Sequence, residues 1–461
     1  MSRLVVVSNR VADLSKANQS GGLAVALADA LAERGGLWFG WSGEVVARGV
    51  RVPPEIRTDG SVTTVTLPLT RKDYNDFYLG FSNSVLWPIF HYRLDLADFN
   101  TAYVKGYKRV NSKFADALAP MLRPDDQIWV HDYHLIPLAA ELRRRGFHQK
   151  IGFFLHIPFP PSGILEAAPE HDWLTRALFS YDLVGFQSET DLENFERHVL
   201  DRQGKKLTEN RITAYRRTLV ADAFPIGIDV DAFYDLAHTP EADAQIENLK
   251  RRTTARTHII GVDRLDYSKG LPDRFRAFQK FLSDSPESHK AVTLMQIASP
   301  TRENVEAYAD IRQELESLAG AINGSFGDFD WTPLRYIHRN VPRDILAALF
   351  RGSPVGLVTP LRDGMNLVAK EYIAAQDPDN PGTLILSKFA GAAEELKEAV
   401  IVNPYDIDQV SAAMRITLDM PLEERRNRHA ALTRRIREHD VHRWKARFLD
   451  ALNSCVADAA A

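Results

Sequence analysis

VGLVTPLRDGMNLVAKEY, residues Val355 to Tyr372, is the stretch of sequence that decides the fold. Its start, VGLVT, has the composition of a buried strand and is soon followed by a charged turn of Arg362, Asp363 and Gly364. The segment after the turn begins MNLVAKEYIAA, a composition that favours an α-helix. This order predicts a strand that leads through a tight turn into a helix, which is the building unit of a parallel sheet.

The same unit recurs along the chain. Short apolar runs alternate with longer amphipathic segments such as GLAVALADALAERGG and LPDRFRAFQKFL. The other apolar runs of strand length are LVVV near Leu4, IWV near Ile128, IGFFLH from Ile151, LVGF from Leu183, IIGV from Ile259, VTLMQIA from Val292 and TLILS from Thr383. This alternation is typical of an α/β fold in which helices cover both faces of parallel sheets.

The strand and helix units form two series, which predicts two doubly wound, Rossmann-like domains. A polar segment from Leu236 to Arg256 separates the series, and we place the boundary near Asp235. The predicted domains are residues 1–235 and 236–440, and residues 441–461 form a last amphipathic helix that could pack on either domain. Such domains bind ligands at the carboxyl ends of their strands, which suits an enzyme with two substrates.

The composition narrows the classes of function. The chain has 461 residues, of which 45% are hydrophobic and 26% charged, with a formal net charge of -4, so we expect neither nucleic-acid nor membrane partners. The single cysteine, Cys455, excludes an intramolecular disulfide and favours a reducing, cytoplasmic setting. The apolar core of MSRLVVVSNR is too short for a signal peptide, and no run of about 18 apolar residues occurs. We therefore expect a protein that is neither exported nor membrane-spanning.

Two cations follow the strand IIGV in the stretch VDRLDYSKGLP. Arg264 and Lys269 lie in the turn before a helix whose first turn contains Pro272. Fixed positive charge beside the free N–H groups of a helix N-terminus suits a diphosphate, although a solvated surface turn is the alternative. Glu371, in the helix after the opening stretch, can accept hydrogen bonds from ribose hydroxyls.

Polar residues also follow strands of the first series. Arg10 and the pair Gly21 and Gly22 come after LVVV, a weak sign of an anion site because glycines also serve ordinary loops. The HDYH stretch around Asp132, together with His156, invites a metal interpretation. We disfavour a metal because the spacing supplies no third ligand, and Asp132 can instead cap the following helix.

The motifs SNR...GGL, LWPIFHYR, HDYHL, FLHIPFP, VDRLDYSKGLP and TPLRDGMNLVAKEY resemble those of the trehalose-6-phosphate synthase family. The resemblance runs from Leu4 to about Trp444, nearly the whole chain. It implies the GT-B glycosyltransferase fold, in which two Rossmann-like domains face each other across a cleft and a C-terminal helix returns to the first domain.

The resemblance also implies an activity. The family transfers glucose from a nucleotide sugar, usually UDP-glucose, to the anomeric hydroxyl of glucose 6-phosphate, giving α,α-trehalose 6-phosphate with retention. UDP-, GDP- and ADP-glucose all remain possible donors for this chain. The family model uses no covalent nucleophile, because the acceptor attacks the face from which the diphosphate leaves. We therefore expect an enzyme of trehalose biosynthesis without metal or other cofactor, a dimer or tetramer, whose product a separate trehalose-6-phosphate phosphatase consumes.

The resemblance assigns roles to individual residues. The residues that match nucleotide-sugar positions are Gly22, Leu23, Arg264, Lys269, Val341, Leu367, Val368 and Glu371. The residues that match glucose 6-phosphate positions are Arg10, Tyr78, Asp132 and Arg302. Trp87 and His156 match positions where the anomer is selected, and His156 and Asp363 would contact the transferred glucose. Arg264, Lys269, Asp363 and His156 are therefore the expected catalytic residues.

Two alternative functions remain, and one motif suggests a metal site. The alternatives are a pseudo-glycosyltransferase that couples cyclitols through nitrogen and a non-catalytic sugar-phosphate sensor of the same fold. Either should depart from the family at the sugar or diphosphate residues, and no departure is visible in this sequence. Asp328-Phe329-Asp330 is a D-x-D pattern that binds a metal in other glycosyltransferases, but we interpret it as turn chemistry because it lies away from any strand carboxyl end.

Overall fold

The computed structural model describes residues 2–11, 27, 31, 35–47, 50, 52–202, 204–253, 256–302 and 305–455. The chain divides into two compact units. The first is Met1–Pro225 together with Trp444–Ala461, and the second is Ile226–Arg443.

The units divide earlier in the chain than the boundary predicted near Asp235. Asp235 belongs to the helix Val230–Ala237, which contacts the helices Arg343–Arg351 and Leu367–Ala375 of the second unit. Phe233 of this helix is buried, and its ring lies 6.3 Å from that of Phe350 in the second unit. The boundary predicted from the sequence put most of this helix in the first domain, because the helix directly follows the last apolar run of the first series.

The first unit contains a ten-stranded sheet. Its strands are β1 Leu4–Arg10, β2 Gly36–Val46, β3 Glu55–Asp59, β4 Val62–Thr70, β5 Gln127–His131, β6 Lys150–Phe154, β7 Leu183–Phe186, β8 Lys205–Thr208, β9 Arg211–Ala214 and β10 Arg217–Ala223. They lie in the order β3-β4-β2-β1-β5-β6-β7-β10-β9-β8. The strands from β4 to β10 in this order are parallel, whereas β3, β9 and β8 pair antiparallel at the two edges. The winding of the chain reverses between β1 and β5.

The second unit contains a six-stranded sheet that is parallel throughout. Its strands are β11 Thr257–Arg264, β12 Val292–Ser299, β13 Leu334–Ile337, β14 Val355–Val358, β15 Thr383–Ser387 and β16 Val400–Val402. The order β13-β12-β11-β14-β15-β16 is that of a dinucleotide-binding domain, with the reversal between β11 and β14. Every apolar run named above forms one of these strands. The predicted α/β fold with two doubly wound parallel sheets is confirmed.

Helices flank the strands in both units. Those of the first unit are Arg71–Asp73, the π-helix Tyr74–Leu86, Trp87–Phe90, Thr101–Leu118, Leu138–Arg144, Ser162–Leu165, His171–Leu178 and Glu189–Leu200. Those of the second are Val230–Ala237, Pro240–Arg252, Leu271–Asp284, Glu306–Phe326, Arg343–Arg351, Leu367–Ala375, Ile407–Leu418 and Leu422–Glu438. Short 3-10 turns are Leu94–Leu96, Ala119–Met121, Tyr133–Leu135, Tyr267–Lys269, Pro286–Ser288 and Gly391–Glu394. No helix in the described part of the chain is long and apolar enough to cross a membrane.

The last helix, Val441–Ser454, carries the chain from the second unit into the first. Its Trp444 and Phe448 rings lie 4.9 and 4.7 Å from the ring of Trp129 in β5. Phe448 also packs on β6 at Gly152, where an added Cβ would lie only 2.8 Å from the ring. The sequence did not decide which domain this helix packs on. Its apolar residues pack in the core of the first unit.

Candidate active site

Predicted site residues lie at each of the two places where the winding of a sheet reverses. Doubly wound sheets bind ligands outside the carboxyl ends of the strands at this switch point. In the second sheet, β11 ends at Arg264, and β14 leads into the turn that contains Asp363. In the first sheet, β1 ends at Arg10, and Asp132 follows β5 directly. Each sheet thus presents its candidate residues where its topology forms a crevice.

Lys269 and Asp363 form an ion pair at the second switch point. The Lys269 Nζ and Asp363 Oδ2 atoms are 2.5 Å apart, and the two side chains are 9% and 15% exposed. The Nδ2 group of Asn366 donates a further hydrogen bond of 3.0 Å to the same carboxylate oxygen. The cation predicted for the diphosphate is therefore held against the carboxylate predicted for the transferred glucose.

Backbone contacts join the two turns that carry this pair. The N–H group of Leu361 donates to the carbonyl oxygen of Ser268 over 2.8 Å. Asp266 shapes the first turn, because its Oδ1 atom accepts from Ser268 N at 3.0 Å and from Ser268 Oγ at 2.9 Å. Gly270 has φ of 65°, and an added Cβ would lie 2.8 Å from the carbonyl oxygen of Thr359. Glycine is needed here for both the left-handed backbone and the close approach.

The turn that contains Asp363 is fixed on its other side as well. The carbonyl oxygen of Asp363 accepts a hydrogen bond from Gly391 N at 3.2 Å. Asn366 has φ of 79° and caps the helix Leu367–Ala375 by accepting from Ala369 N at 3.3 Å. The opening stretch therefore forms the predicted strand, turn and helix, and the helix N-terminus begins beside the Lys269–Asp363 pair.

The residues predicted for the nucleotide share one side of this helix. Leu367, Val368 and Glu371 are partly exposed, whereas Ala369 and Lys370 are buried. Glu371 lies four residues after Leu367 and three after Val368. Both spacings place residues on the same face of a helix, so the exposed three form one patch. Their burial pattern fits a surface that a ligand can cover.

Glu371 faces Arg343, the first residue of the helix Arg343–Arg351. The Glu371 Oε1 and Arg343 Nη2 atoms are 3.7 Å apart. Burial raises the pKa of Glu371 to about 7, and the opposing pull of Arg343 does not cancel this effect. Val341, which the resemblance places beside the uracil, is partly exposed in the turn that precedes Arg343.

Arg302 lies in a buried cluster with Asp266 and Tyr308. Its Nη1 group contacts Asp266 Oδ2 at 3.1 Å and Tyr308 Oη at 2.6 Å, and the arginine side chain is only 6% exposed. Arg302 is therefore not a solvated surface arginine. Burial, with a further contribution from Asp266, raises the pKa of Tyr308. The charges of Arg302 and Arg264 oppose this effect, which places Arg264 in the same neighbourhood.

Arg10 and Tyr78 meet through an aromatic platform in the first unit. The Arg10 guanidinium carbon lies 6.0 Å from the centre of the Trp41 ring, and the Trp41 and Tyr78 rings are 5.4 Å apart. Tyr78 in turn stacks on His134 at 5.9 Å with an interplanar angle of 11°. Gly43, with φ of 90°, leaves space for the guanidinium, since an added Cβ would lie 2.7 Å from Arg10 Nη2.

Asp132 does not cap the turn that follows it, contrary to the simpler sequence interpretation. The 3-10 turn Tyr133–Leu135 receives no side-chain hydrogen bond from Asp132. Its Oδ1 atom instead accepts from the N–H group of His156 at 3.3 Å. Asp132 has φ of 75°, a conformation that costs a non-glycine residue free energy and concentrates at functional sites. The structure thus joins two of the predicted site residues.

His156 is held between two side chains. Its Nε2 atom lies 3.0 Å from Nδ1 of His131, and its Nδ1 atom lies 3.4 Å from Nε2 of Gln187. Burial lowers the pKa of His156 to about 3, so the imidazole is neutral at pH 7. It can therefore offer hydrogen bonds to a sugar but no positive charge.

Three predicted positions remain. Trp87 is 3% exposed, and its ring packs against His91 at 4.1 Å and Tyr133 at 5.7 Å. Gly22 and Leu23 lie outside the described residues.

The structure adds site residues that the sequence interpretation did not name. These are Trp41, Asp266, Tyr308, Arg343 and Asn366. Asp266 and Asn366 stand within the quoted motifs, at the positions before a turn and a helix where such side chains act as caps. Trp41 lies in β2, whose mixed sequence GLWFGWSGEVV did not suggest a strand. For Tyr308 and Arg343 the sequence gives no local signal.

The D-x-D stretch forms a turn, as predicted. Asp328 pairs with Lys290, and Asp330 Oδ2 lies 2.9 Å from Arg256 Nη2. The N–H group of Phe329 donates to Asp328 Oδ1 over 2.7 Å. Among the described residues, no group of three or more His, Cys, Asp or Glu side chains is arranged to hold a metal ion.

Comparison with known proteins adds the family context. The model of glycosyltransferase family 20 matches residues 3–454. A trehalose-6-phosphate synthase of Klebsiella pneumoniae is 50% identical over 454 residues, covering 98% of this chain and 95% of the relative. The crystal structure of a UDP-forming α,α-trehalose-phosphate synthase from Burkholderia xenovorans, in complex with glucose-6-phosphate, is 50% identical with a TM-score of 0.94, covering 98% and 100% of the two chains. A structure from E. coli bound with UDP-2-fluoro glucose is 47% identical with a TM-score of 0.94, covering 99% and 100%.

Proposed function

This chain belongs to glycosyltransferase family 20, and from that premise we propose that it transfers glucose from UDP-glucose to glucose 6-phosphate. The products are α,α-trehalose 6-phosphate and UDP. The observation that carries the proposal is the meeting of Arg264, Lys269 and Asp363 at the switch point between β11 and β14. It combines fixed positive charge, a carboxylate for sugar hydroxyls and a helix N-terminus in one place.

Stabilisation of the leaving diphosphate is the main task of this region. As the bond between glucose and UDP breaks, negative charge grows on the diphosphate oxygens. Arg264 and Lys269 supply fixed positive charge, and the N-termini of the helices Leu271–Asp284 and Leu367–Ala375 supply free N–H groups. Preorganised donors of this kind need no rearrangement during the reaction, which is why they accelerate it.

Asp363 is better suited to hold glucose hydroxyls than to attack carbon. Its Oδ2 atom already accepts from Lys269 and Asn366, which lowers its nucleophilicity and fixes its direction. Retention then follows if the acceptor hydroxyl attacks the face that the diphosphate leaves. In that step the new bond to the acceptor oxygen forms as the bond to the diphosphate breaks, and a leaving phosphate oxygen takes the hydroxyl proton.

The acceptor residues supply both aromatic and charged surface. Arg10 offers a planar fork of donors to a phosphate, and Tyr78 adds a hydroxyl beside the Trp41 ring. Asp132, held by its bond to His156, can accept from hydroxyls of the acceptor sugar. Arg302 of the second unit matches a further phosphate position.

The remaining parts of the proposal rest on the resemblance and the composition. We expect no metal or other cofactor, because the chain supplies its own cations for the diphosphate. We also expect a cytoplasmic homo-oligomer, either a dimer or a tetramer. A separate phosphatase would remove the phosphate from the product.

The test is an assay with three donors and one acceptor. The purified chain is incubated with UDP-, GDP- or ADP-glucose and glucose 6-phosphate, and both the released nucleotide and the disaccharide phosphate are measured. We expect trehalose 6-phosphate with UDP-glucose and no nucleotide release without acceptor. Binding of glucose 6-phosphate without turnover of any donor would favour the non-catalytic sensor. Activity only with a cyclitol amine acceptor would favour the pseudo-glycosyltransferase.

A further inference from the structure

A pair of neutral histidines lies at the end of two adjacent strands of the first sheet. His131 is the last residue of β5 and pairs with Phe154 of β6, and His156 follows two residues beyond Phe154. The distance from His131 Nδ1 to His156 Nε2 is 3.0 Å, and the rings are nearly parallel at 25°. Burial lowers the pKa of both imidazoles. One nitrogen of this contact therefore carries a proton and the other accepts it.

The surroundings of His131 decide which nitrogen carries the proton. Its other nitrogen, Nε2, is buried and has no hydrogen-bond partner among the described residues. The neighbouring rings are those of Trp129 at 4.6 Å and Trp444 at 6.4 Å. A buried N–H group without an acceptor is rarer and more costly than a buried lone pair without a donor. His131 is therefore protonated on Nδ1 and donates to His156.

We propose that His131 is a positioning residue that makes His156 an Nδ1–H donor toward the transferred sugar. With Nε2 of His156 accepting from His131, a neutral ring must carry its proton on Nδ1. The side-chain amide of Gln187 lies 3.4 Å from this nitrogen, and its oxygen can accept from it if the amide is turned. Before any ligand arrives the N–H group then has Gln187 as its acceptor, and a sugar oxygen replaces Gln187 when the donor binds.

This assignment specifies what His156 can recognise. An Nδ1–H group binds a lone pair of a sugar oxygen, and it neither transfers a proton nor attracts the diphosphate. The role in sugar binding rests on the proposed function, whereas the position of the proton does not. Since Asp132 accepts the backbone N–H of His156, the ring is fixed from both its main chain and its side chain.

The proton can be located by nitrogen NMR on protein labelled with ¹⁵N-histidine. The His156 signal is assigned by its loss in His156→Asn. We expect His156 and His131 each to carry the proton on Nδ1 in the unliganded protein. A proton on Nε2 of His156 in the wild-type protein would overturn the proposal whether or not the chain is a glucosyltransferase.

Two variants connect the proton to turnover. His131→Asn keeps an N–H donor near the position of Nδ1, and His131→Leu removes it. We expect turnover about tenfold lower in the Leu variant and within about threefold of wild type in the Asn variant, with both Michaelis constants little changed. His258→Leu is the matched control. His258 is also buried, and its Nε2 atom has no partner within the described part of the chain, but it lies at the other end of β11 from Arg264. Equal losses in the Asn and Leu variants would show that His131 acts only through packing.

Discussion

The two sheets reverse their winding in the same way, and the side chains at the two switch points differ in their chemistry. Between β11 and β14 the side chains are charged, with Arg264 at the end of β11 and the ion pair of Lys269 and Asp363 in the turns that follow the two strands. Between β1 and β5 the charged residues Arg10 and Asp132 lie beside aromatic and neutral groups, such as Tyr78 on its ring stack and the uncharged imidazole of His156. Strand order therefore sets where a ligand binds, and the residues after the strands set which ligand it is.

This difference separates the two tasks of the proposed reaction. A leaving diphosphate gains negative charge during the reaction, so fixed cations in a partly buried region lower its barrier. A sugar that is only held and oriented is better served by flat rings and neutral hydrogen-bonding groups. Substitutions at the charged switch point should therefore affect turnover most, and those of acceptor residues should affect affinity.

The largest expected effect is that of Arg264→Ala. Loss of a charge that stabilises the leaving diphosphate should lower turnover about a hundredfold or more, with smaller changes in the Michaelis constants. Steady-state kinetics with both substrates measures this split. Arg415→Ala, which removes an exposed arginine from the helix Ile407–Leu418 of the same unit, is the control. Near-normal turnover in Arg264→Ala would remove the main distinction between the two switch points.

The next largest effect is expected for Arg302→Ala. This variant tests whether a residue of the second unit, which carries the charged switch point, also binds the acceptor. A lost contact to a phosphate costs about 1.5 to 3 kcal/mol, so the Michaelis constant for glucose 6-phosphate should rise by roughly ten- to a hundredfold. The constant for UDP-glucose should change little. The melting temperature should also fall, because Asp266 loses a cation in a buried cluster.

Arg302→Lys supplies the control for that second effect. It retains a positive charge near Asp266 but lacks the planar fork that binds a phosphate at two oxygens. An unchanged acceptor constant in both variants would assign Arg302 to the Asp266–Tyr308 cluster alone. An equal loss for both substrates would indicate a general defect instead.

The sequence predicts those features that depend on residues close together in the chain. The strand, turn and helix around Asp363 and the cations after β11 follow from local composition, and the structure places them as expected. The pairing of Lys269 with Asp363 and the platform under Arg10 could not be predicted, because each joins segments far apart in the chain. The φ of 75° at Asp132 has no local signal either, since a strained backbone is set by its surroundings.

The edges of the first sheet were missed for a related reason. β3 and β8, with the sequences EIRTD and KKLT, are exposed along their whole length. An edge strand without a buried face has no alternation of apolar and polar residues for a pattern to detect. Buried parallel strands are easier to recognise because both of their faces are apolar.

Glu371 gives a smaller effect that depends on pH. Burial raises its pKa from 4.5 to about 7, so the folded protein holds a proton that the unfolded chain releases between these values. The protonated Glu371 therefore contributes to the free energy of unfolding at low pH, and this contribution is lost as the pH rises through about 7. An ionised Glu371 is the better acceptor for ribose hydroxyls, and the Michaelis constant for UDP-glucose should be about threefold higher at pH 6 than at pH 8.

The Glu371→Gln variant checks both parts of this prediction. Its donor constant should be independent of pH over this range, and its melting temperature should rise relative to wild type as the pH increases. A pH dependence of the donor constant that survives in Glu371→Gln would show that another group is responsible.

The smallest expected effect is that of removing the D-x-D carboxylate or any metal. Asp330 is 65% exposed and pairs with Arg256, and such surface pairs contribute little to stability. Turnover in Asp330→Asn should stay within about twofold of wild type, since truncating an exposed pair costs less than about 1 kcal/mol. Activity should also survive excess EDTA, because in the proposed reaction Arg264 and Lys269 supply the positive charge for the leaving diphosphate. Loss of activity in EDTA that magnesium or manganese restores would mean that the charge at this switch point is incomplete without an ion. The difference between this switch point and the largely aromatic one of the first sheet would then depend on a bound metal as well as on the residues of the chain.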